Sequence, residues 1–368
     1  MFAIDIPQKA REAYPSLLPL IFADTAIPDL IAACREVAAT AGDAAGVFIY
    51  AAVIEANQDR KDPMRLDRAR ALLAQAESHP FASFLSRYLI ETGQFAPTAV
   101  AFESTVPYDV WAATRFYRGY RRNTLRALSE FIRINAPAAE QAPPAICDIG
   151  PGNGLLLGDI VAEALTMYRL SSIRVVIIEM SQNMLDATVA HLQSRFGNQV
   201  DCVAIQGKIQ DISADQLMAA AGGQSFWFTT GSASLHHMPA EVKRDVFIKL
   251  AEIAPRLVVT DFVANHDLPE MNSPELIYSV SNFYAYIMDD VWNTTTESTE
   301  RRWEAIANFF LTEAINMLTK PRLSRIDYHA PVEQWNKIAA EAGYKADRTF
   351  YTSYDDKRPV TFTTAYSH

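Results

Sequence analysis

The sequence predicts an α/β protein: a doubly wound, mostly parallel sheet of seven strands, with an N-terminal helical region and a helical cap insertion. Three observations predict it. From Ala145 onward, apolar runs of strand length alternate with helical patterns. Residues 1–140 show helical spacing and no strand alternation. Residues from about 265 to 325 interrupt the alternation with helical, aromatic-rich chain. The expected organisation is a helical region over 1–140 and an α/β domain over 141–368, carrying the insertion at about 265–325.

In the first region, Pro28 opens a helical pattern that reaches Thr40, and residues 44–56 and 65–75 continue the spacing. Residues 81–91 carry Phe84, Leu85, Tyr88 and Leu89 on one stripe. Residues 107–134 read as one long helix, rich in aromatics and arginines. Pro137 and the pair Pro143-Pro144 mark a linker.

The next stretch organises the rest: Ala145-Ile-Cys-Asp148-Ile-Gly150-Pro-Gly152-Asn-Gly154. An apolar strand ends near an acid, glycines alternate, and Leu155, Leu156, Ile160, Val161, Ala164 and Leu165 then recur at helical spacing. Glycines there permit positive φ and let a ligand approach bare backbone, and the first free amides of the helix point into the turn. A dinucleotide fingerprint would read G-x-G-x-x-G. The spacing here is G-x-G-x-G, with an acid two residues ahead. This pattern resembles the first motif of the class I, Rossmann-like S-adenosylmethionine (SAM) methyltransferases. The resemblance implies SAM as cofactor, a loop at Gly150, Gly152 and Gly154 that receives its methionine end, and Asp148 holding its amino group.

Further strands are expected at 174–178, ending before Glu179, then at 200–205, 225–229 and 257–260. Ser181 is placed to cap a helix, Ser213 with Gln216 forms a capping-box pattern, and Pro239 opens the helix after the fourth strand. After the insertion Pro331 opens a helix that Gly343 stops, and strands at 345–351 and 360–366 finish the chain. That last pair, with one strand inserted antiparallel, also resembles the class I methyltransferase sheet.

Composition narrows the classes. The chain has 368 residues and a net charge of −10, from 33 basic and 43 acidic residues. No long basic run appears, which argues against nucleic acid as a partner. The three cysteines share no C-x-x-C spacing, so neither a disulfide framework nor a thiolate metal site is expected. No signal-peptide pattern and no apolar run of about 18 residues occurs, so a cytoplasmic protein without a membrane span is expected.

Glu179 follows Gly154 by roughly 25 residues, where nucleotide-binding α/β folds place an acid on the ribose hydroxyls. Met180 beside it could lie on the adenine face. In the methyltransferase pattern the turn after the third strand borders the adenine, which brings in Ile209. The fourth strand leads through Thr230 to Leu235-His236-His237-Met238, between cofactor and acceptor. His236 and His237 are candidates for a general base. They are also conceivable metal ligands, but neighbours on an extended strand face opposite ways and a metal needs more ligands, so no metal is assigned. A third reading has one ring satisfying the helix start and the other packing. Asp261 ends the fifth strand, either shaping the acceptor site or making a turn. Tyr117 and Arg118 could cover the cofactor, Arg118 pairing with its carboxylate. Tyr278, Asn282, Phe283 and Tyr286 are the candidates for an acceptor pocket.

The Leu235-His236-His237 segment, with the order of elements around it, resembles the GRAS-domain proteins, plant regulators with bacterial members that look like small-molecule methyltransferases. The intact glycine loop and Glu179 favour retained SAM binding, and the plant-type Trp-containing ending is absent. The expected function is methyl transfer from SAM to O, N or C of a small-molecule acceptor. The alternatives are a GRAS-like interaction module and a SAM-binding enzyme of other chemistry. The expected partner is that small molecule, with a homodimer left open.

Overall fold

The computed structural model describes residues 5–99, 106–137, 143–353 and 359–368. The chain divides into two compact units. One comprises Met1–Phe116 and Ala264–Tyr328, the other Tyr117–Val263 and His329–His368.

The second unit is built on seven strands: β1 (Ala145–Ile149), β2 (Ile173–Glu179), β3 (Val200–Gln206), β4 (Phe228–Ser232), β5 (Arg256–Phe262), β6 (Lys345–Ser353) and β7 (Pro359–Ser367). Their order is β3-β2-β1-β4-β5-β7-β6. The ladders joining β1 to β5 are parallel, and β7 lies antiparallel between β5 and β6. This is the expected Rossmann-like sheet with one inserted antiparallel strand. Successive side chains on a strand point to opposite faces. Cys147, Ile149, Val176, Ile178 and Val259 therefore enter one apolar cluster, while Ile146, Val175, Ile177 and Val258 enter another. The continuous apolar runs in the sequence reflect a sheet covered on both faces.

Local signals hold at several ends. Ser181 Oγ accepts from the Met184 amide at 3.4 Å, and Ser213 with Gln216 completes the capping box. Two expectations shift. The fourth strand runs Phe228–Ser232 instead of 225–229. Its ladder is set by β1, which pairs Ile146 with Phe228 and Ile149 with Gly231, so the partner decides the register. The long helix expected over 107–134 is two helices, Val106–Ala112 and Arg115–Ile134. Its second start is capped from elsewhere in the chain: Asp290 Oδ2 accepts the Phe116 amide at 2.8 Å, and Thr294 Oγ1 accepts that of Arg115 at 3.2 Å. Periodicity within one segment cannot register a cap from the helix Pro274–Thr294.

The first unit is helical. Its helix Ala44–Gln58 is buried from Gly46 through Ala56, which matches an apolar pattern running all round it. The exception within that run is Glu55, fully buried, which accepts from Arg65 at 2.7 Å and Arg68 at 2.5 Å. Among the described residues no helix is long and apolar enough to cross a membrane.

Candidate functional site

Gly150, Gly152 and Gly154 all have positive φ, 67°, 63° and 76°. The turn between β1 and the helix Leu155–Tyr168 depends on a conformation that residues with a Cβ avoid. At Gly154 a Cβ would also stand 2.9 Å from the Thr188 Cα, and at Gly150 it would meet the Ser234 Cβ at 2.5 Å. The chain itself thus makes the close approach at these two positions. The loop is braced as well: the Gly150 amide donates to the Ile178 carbonyl at 2.8 Å, and the Thr188 hydroxyl donates to that of Gly152 at 2.7 Å.

Two acids flank this loop at the carboxyl ends of β1 and β2. Asp148 is buried, and its Oδ1 has no hydrogen-bond partner among the described residues. Burial pushes its carboxyl up to about 7, the Ile149 amide opposing the rise and the charge of Glu179 adding to it. Glu179 is half-buried and accepts the Ser181 amide at 2.9 Å. Burial raises its carboxyl too, against the amides of Ser181, Gly152 and Met180 and the nearby His237.

The other cofactor candidates have different surroundings. Thr230 pairs in register with Asp148 and is buried, with an unpartnered hydroxyl. Met180 is 52% exposed. Ile209 is buried in the apolar cluster with Ile149 and Ile178, so most of its side chain is spent on the core. Tyr117 is buried, whereas Arg118 is exposed. One turn on, Tyr120 is buried and its ring stacks on Phe262 at 5.7 Å. Arg121 ties the helix Arg115–Ile134 to that after the glycine turn, through Asp159 at 2.6 Å.

At the ends of β4 and β5 the structure assembles a triad. His236 Nδ1 lies 2.9 Å from Asp261 Oδ1, and His329 Nδ1 lies 3.1 Å from the same oxygen. All three residues are buried. The rings of His236 and His329 are 3.8 Å apart, and those of His236 and His237 4.4 Å. The two sequence neighbours are not on an extended strand. Leu235–His237 is a 3-10 turn, which brings adjacent rings to one side instead of opposing them. Ahead of it Ala233 has φ 52°, held by its amide's bond to the Thr260 carbonyl at 2.8 Å. Leu235 anchors the turn in the core, against Gly231, where a Cβ would lie 2.7 Å from its side chain. Burial lowers the His236 imidazole to about 4, with Asp261 opposing. Burial would raise Asp261, but the two imidazoles outweigh it and hold its carboxyl well below the usual range.

His329 is the member that sequence reasoning missed. It precedes Pro331, where only a helix start was legible. Tyr278, Asn282, Phe283 and Tyr286 lie in the other unit, on the helix Pro274–Thr294. Asn282 donates to the Tyr278 carbonyl at 2.9 Å, Phe283 is buried with its ring 5.3 Å from that of His266, and Tyr286 meets Phe116 edge-on at 5.6 Å.

No family model matches the sequence, and no curated protein matches it. Solved structures do resemble the fold. SCL7 of Oryza sativa, a GRAS-domain protein, has a TM-score of 0.65 at 12% identity, covering 87% of this chain and 98% of that one. At that identity the likeness shows the fold alone, an α/β fold like that of this GRAS-domain protein. The SAM-bound magnesium protoporphyrin IX methyltransferase of Synechocystis has a TM-score of 0.41 at 13% identity, over 78% of this chain and 96% of that one. The mitomycin 7-O-methyltransferase MmcR has a TM-score of 0.38 at 11% identity, over 98% and 94%. At such scores neither of these two likenesses bears on function.

Proposed function

We propose that the chain binds SAM and transfers its methyl group to a small-molecule acceptor. The observation that carries this reading is Asp148: a buried carboxyl with a bare Oδ1, at the end of β1 beside a turn of positive-φ glycines. The fit to the cofactor is specific in its chemistry. A free amino group would satisfy the bare oxygen of Asp148, and Thr230 offers a second unsatisfied polar group, its hydroxyl, in register with it. Glu179 ends the neighbouring strand, where a carboxylate can accept two vicinal hydroxyls in a fork.

SAM, when bound, supplies a methyl group already activated by the sulfonium charge. The work left to the chain is alignment, exclusion of water and disposal of the acceptor's proton. His236, His237 and Asp261 stand at the carboxyl ends of β4 and β5, where open α/β sheets bind their ligands. His236 and Asp261 are held weakly basic, which leaves His237 as the group offered for that proton.

Calorimetric titration with S-adenosylhomocysteine, with NAD as control, tests the reading. Micromolar-range binding of the former alone is expected, weakened at least tenfold in Glu179→Ala. A folded chain that binds neither would end this proposal in favour of a GRAS-like interaction module.

A further inference from the structure

His236, Asp261 and His329 also have a geometry that hydrogen bonding alone does not explain. Asp261 Oδ1 receives three nitrogens: His236 Nδ1 at 2.9 Å, His329 Nδ1 at 3.1 Å and the Phe262 amide at 2.7 Å. Its Oδ2 is buried and receives none from the described residues. A carboxylate has acceptor sites on both oxygens, and donors competing for it should spread over them. Here two imidazoles converge on one oxygen while the other is left bare inside the protein, at the cost of an unmet polar group. A cation drawing both Nδ1 lone pairs and Oδ1 to itself accounts for that convergence.

The spacing supports this. Metal bonds of about 2.1 Å put neighbouring ligand atoms about 3.0 Å apart at octahedral angles and about 3.4 Å apart at tetrahedral ones. The two nitrogen–oxygen separations, 2.9 and 3.1 Å, match the octahedral spacing, and all three ligand atoms lie within 4.8 Å of one another. The ligands also come from firm elements of one unit: the end of β5, the 3-10 turn anchored by Leu235, and the segment leading into the helix Val332–Glu341. The ion-pair contacts of Asp261 are with these two histidines, and no lysine or arginine among the described residues pairs with it.

We propose that His236, Asp261 and His329 bind one divalent transition-metal ion. Two imidazoles and one carboxylate suit Zn2+, Co2+, Fe2+ or Mn2+, whereas Mg2+ and Ca2+ favour oxygen donors alone. Three protein ligands leave further positions on the ion for a small oxygen or nitrogen ligand. This inference does not depend on SAM binding, and either can fail without the other.

The test is to strip the full chain of metal and titrate it with Zn2+ and, separately, Co2+, following heat and the visible bands of bound Co2+. One equivalent per chain is expected, together with a rise in Tm on binding. His329→Ala and Asp261→Asn should weaken binding at least tenfold. His329→Gln can still donate to Asp261, and it too should lose the metal. His368→Ala, removing an exposed imidazole, should bind as the parent does. Circular dichroism of each stripped protein confirms that it is folded. Failure of the folded parent to take up stoichiometric Zn2+ or Co2+ would overturn the proposal, as would equal uptake by His329→Gln.

Discussion

His329 and Asp261 are 68 residues apart in sequence and 3.1 Å apart in space. Between them the chain leaves the sheet-bearing unit after Val263 and returns to it at His329. The insertion thus delivers a histidine to the strand end it departed from.

The state of Asp148 makes ligand affinity depend on pH. Its carboxyl is raised to about 7 by burial, so it is ionised above neutrality and protonated below. Only the ionised form attracts a ligand ammonium. Affinity for S-adenosylhomocysteine should therefore fall as pH drops from about 8 to 6, by up to about tenfold per unit once protonation dominates. Calorimetry across that range reads it, and Asp148→Asn should flatten the profile while weakening binding at high pH.

The same residue should burden the ligand-free fold. A carboxyl at 3.8 unfolded and about 7 folded binds more protons in the native state between those values. Its contribution to stability is then most favourable below the unfolded value and is lost as pH rises through the folded one. The loss amounts to about 4 kcal/mol at alkaline pH. Asp148→Asn should raise the urea midpoint at pH 8 and change it little at pH 4. A parental midpoint at pH 8 would mean that the carboxyl is not desolvated.

Gly154→Ala places a Cβ at φ 76°, 2.9 Å from the Thr188 backbone. The cost should be about 1–3 kcal/mol from backbone strain, and more if the helix Gln182–Phe196 cannot shift. Denaturant unfolding measures the stability loss. Gly42→Ala is a useful comparison, because φ 70° and ψ 19° place it in the same left-handed region but nothing lies within 4 Å of the added carbon. A larger loss at 154 than at 42 isolates the contact from the strain.

Asp290→Ala removes the side chain that accepts the Phe116 amide at the start of the helix Arg115–Ile134. Loss of such a cap costs about 1 kcal/mol, within a range of roughly 0.5–2. Thermal unfolding should show a lowered Tm, and Asp290→Asn, which keeps the acceptor oxygen, should recover most of it. Equal losses in the two variants would show that the cap contributes nothing.

How much was legible follows from the range of each interaction. The glycine turn, the capping serines and the apolar strands are written in patterns only a few residues long. Asp148, the three glycines and Glu179 could thus be picked out together. The start of β4 and the break before Arg115 could not, because each is set by a distant partner: the β1 ladder and Asp290. The Leu-His-His motif was visible, but its conformation was misjudged, since a 3-10 turn and an extended strand are not distinguished by three residues.

The sequence by itself determined the class of fold, the strand-turn-helix motif at its centre and the acids that flank it. Alternating patterns and glycine spacing encode these directly. Only the tertiary structure decided that Asp148 is a buried acid with a bare oxygen, and that His329 joins His236 on Asp261. Burial and convergence depend on how elements far apart in sequence pack around a residue, and no stretch of chain carries that information alone.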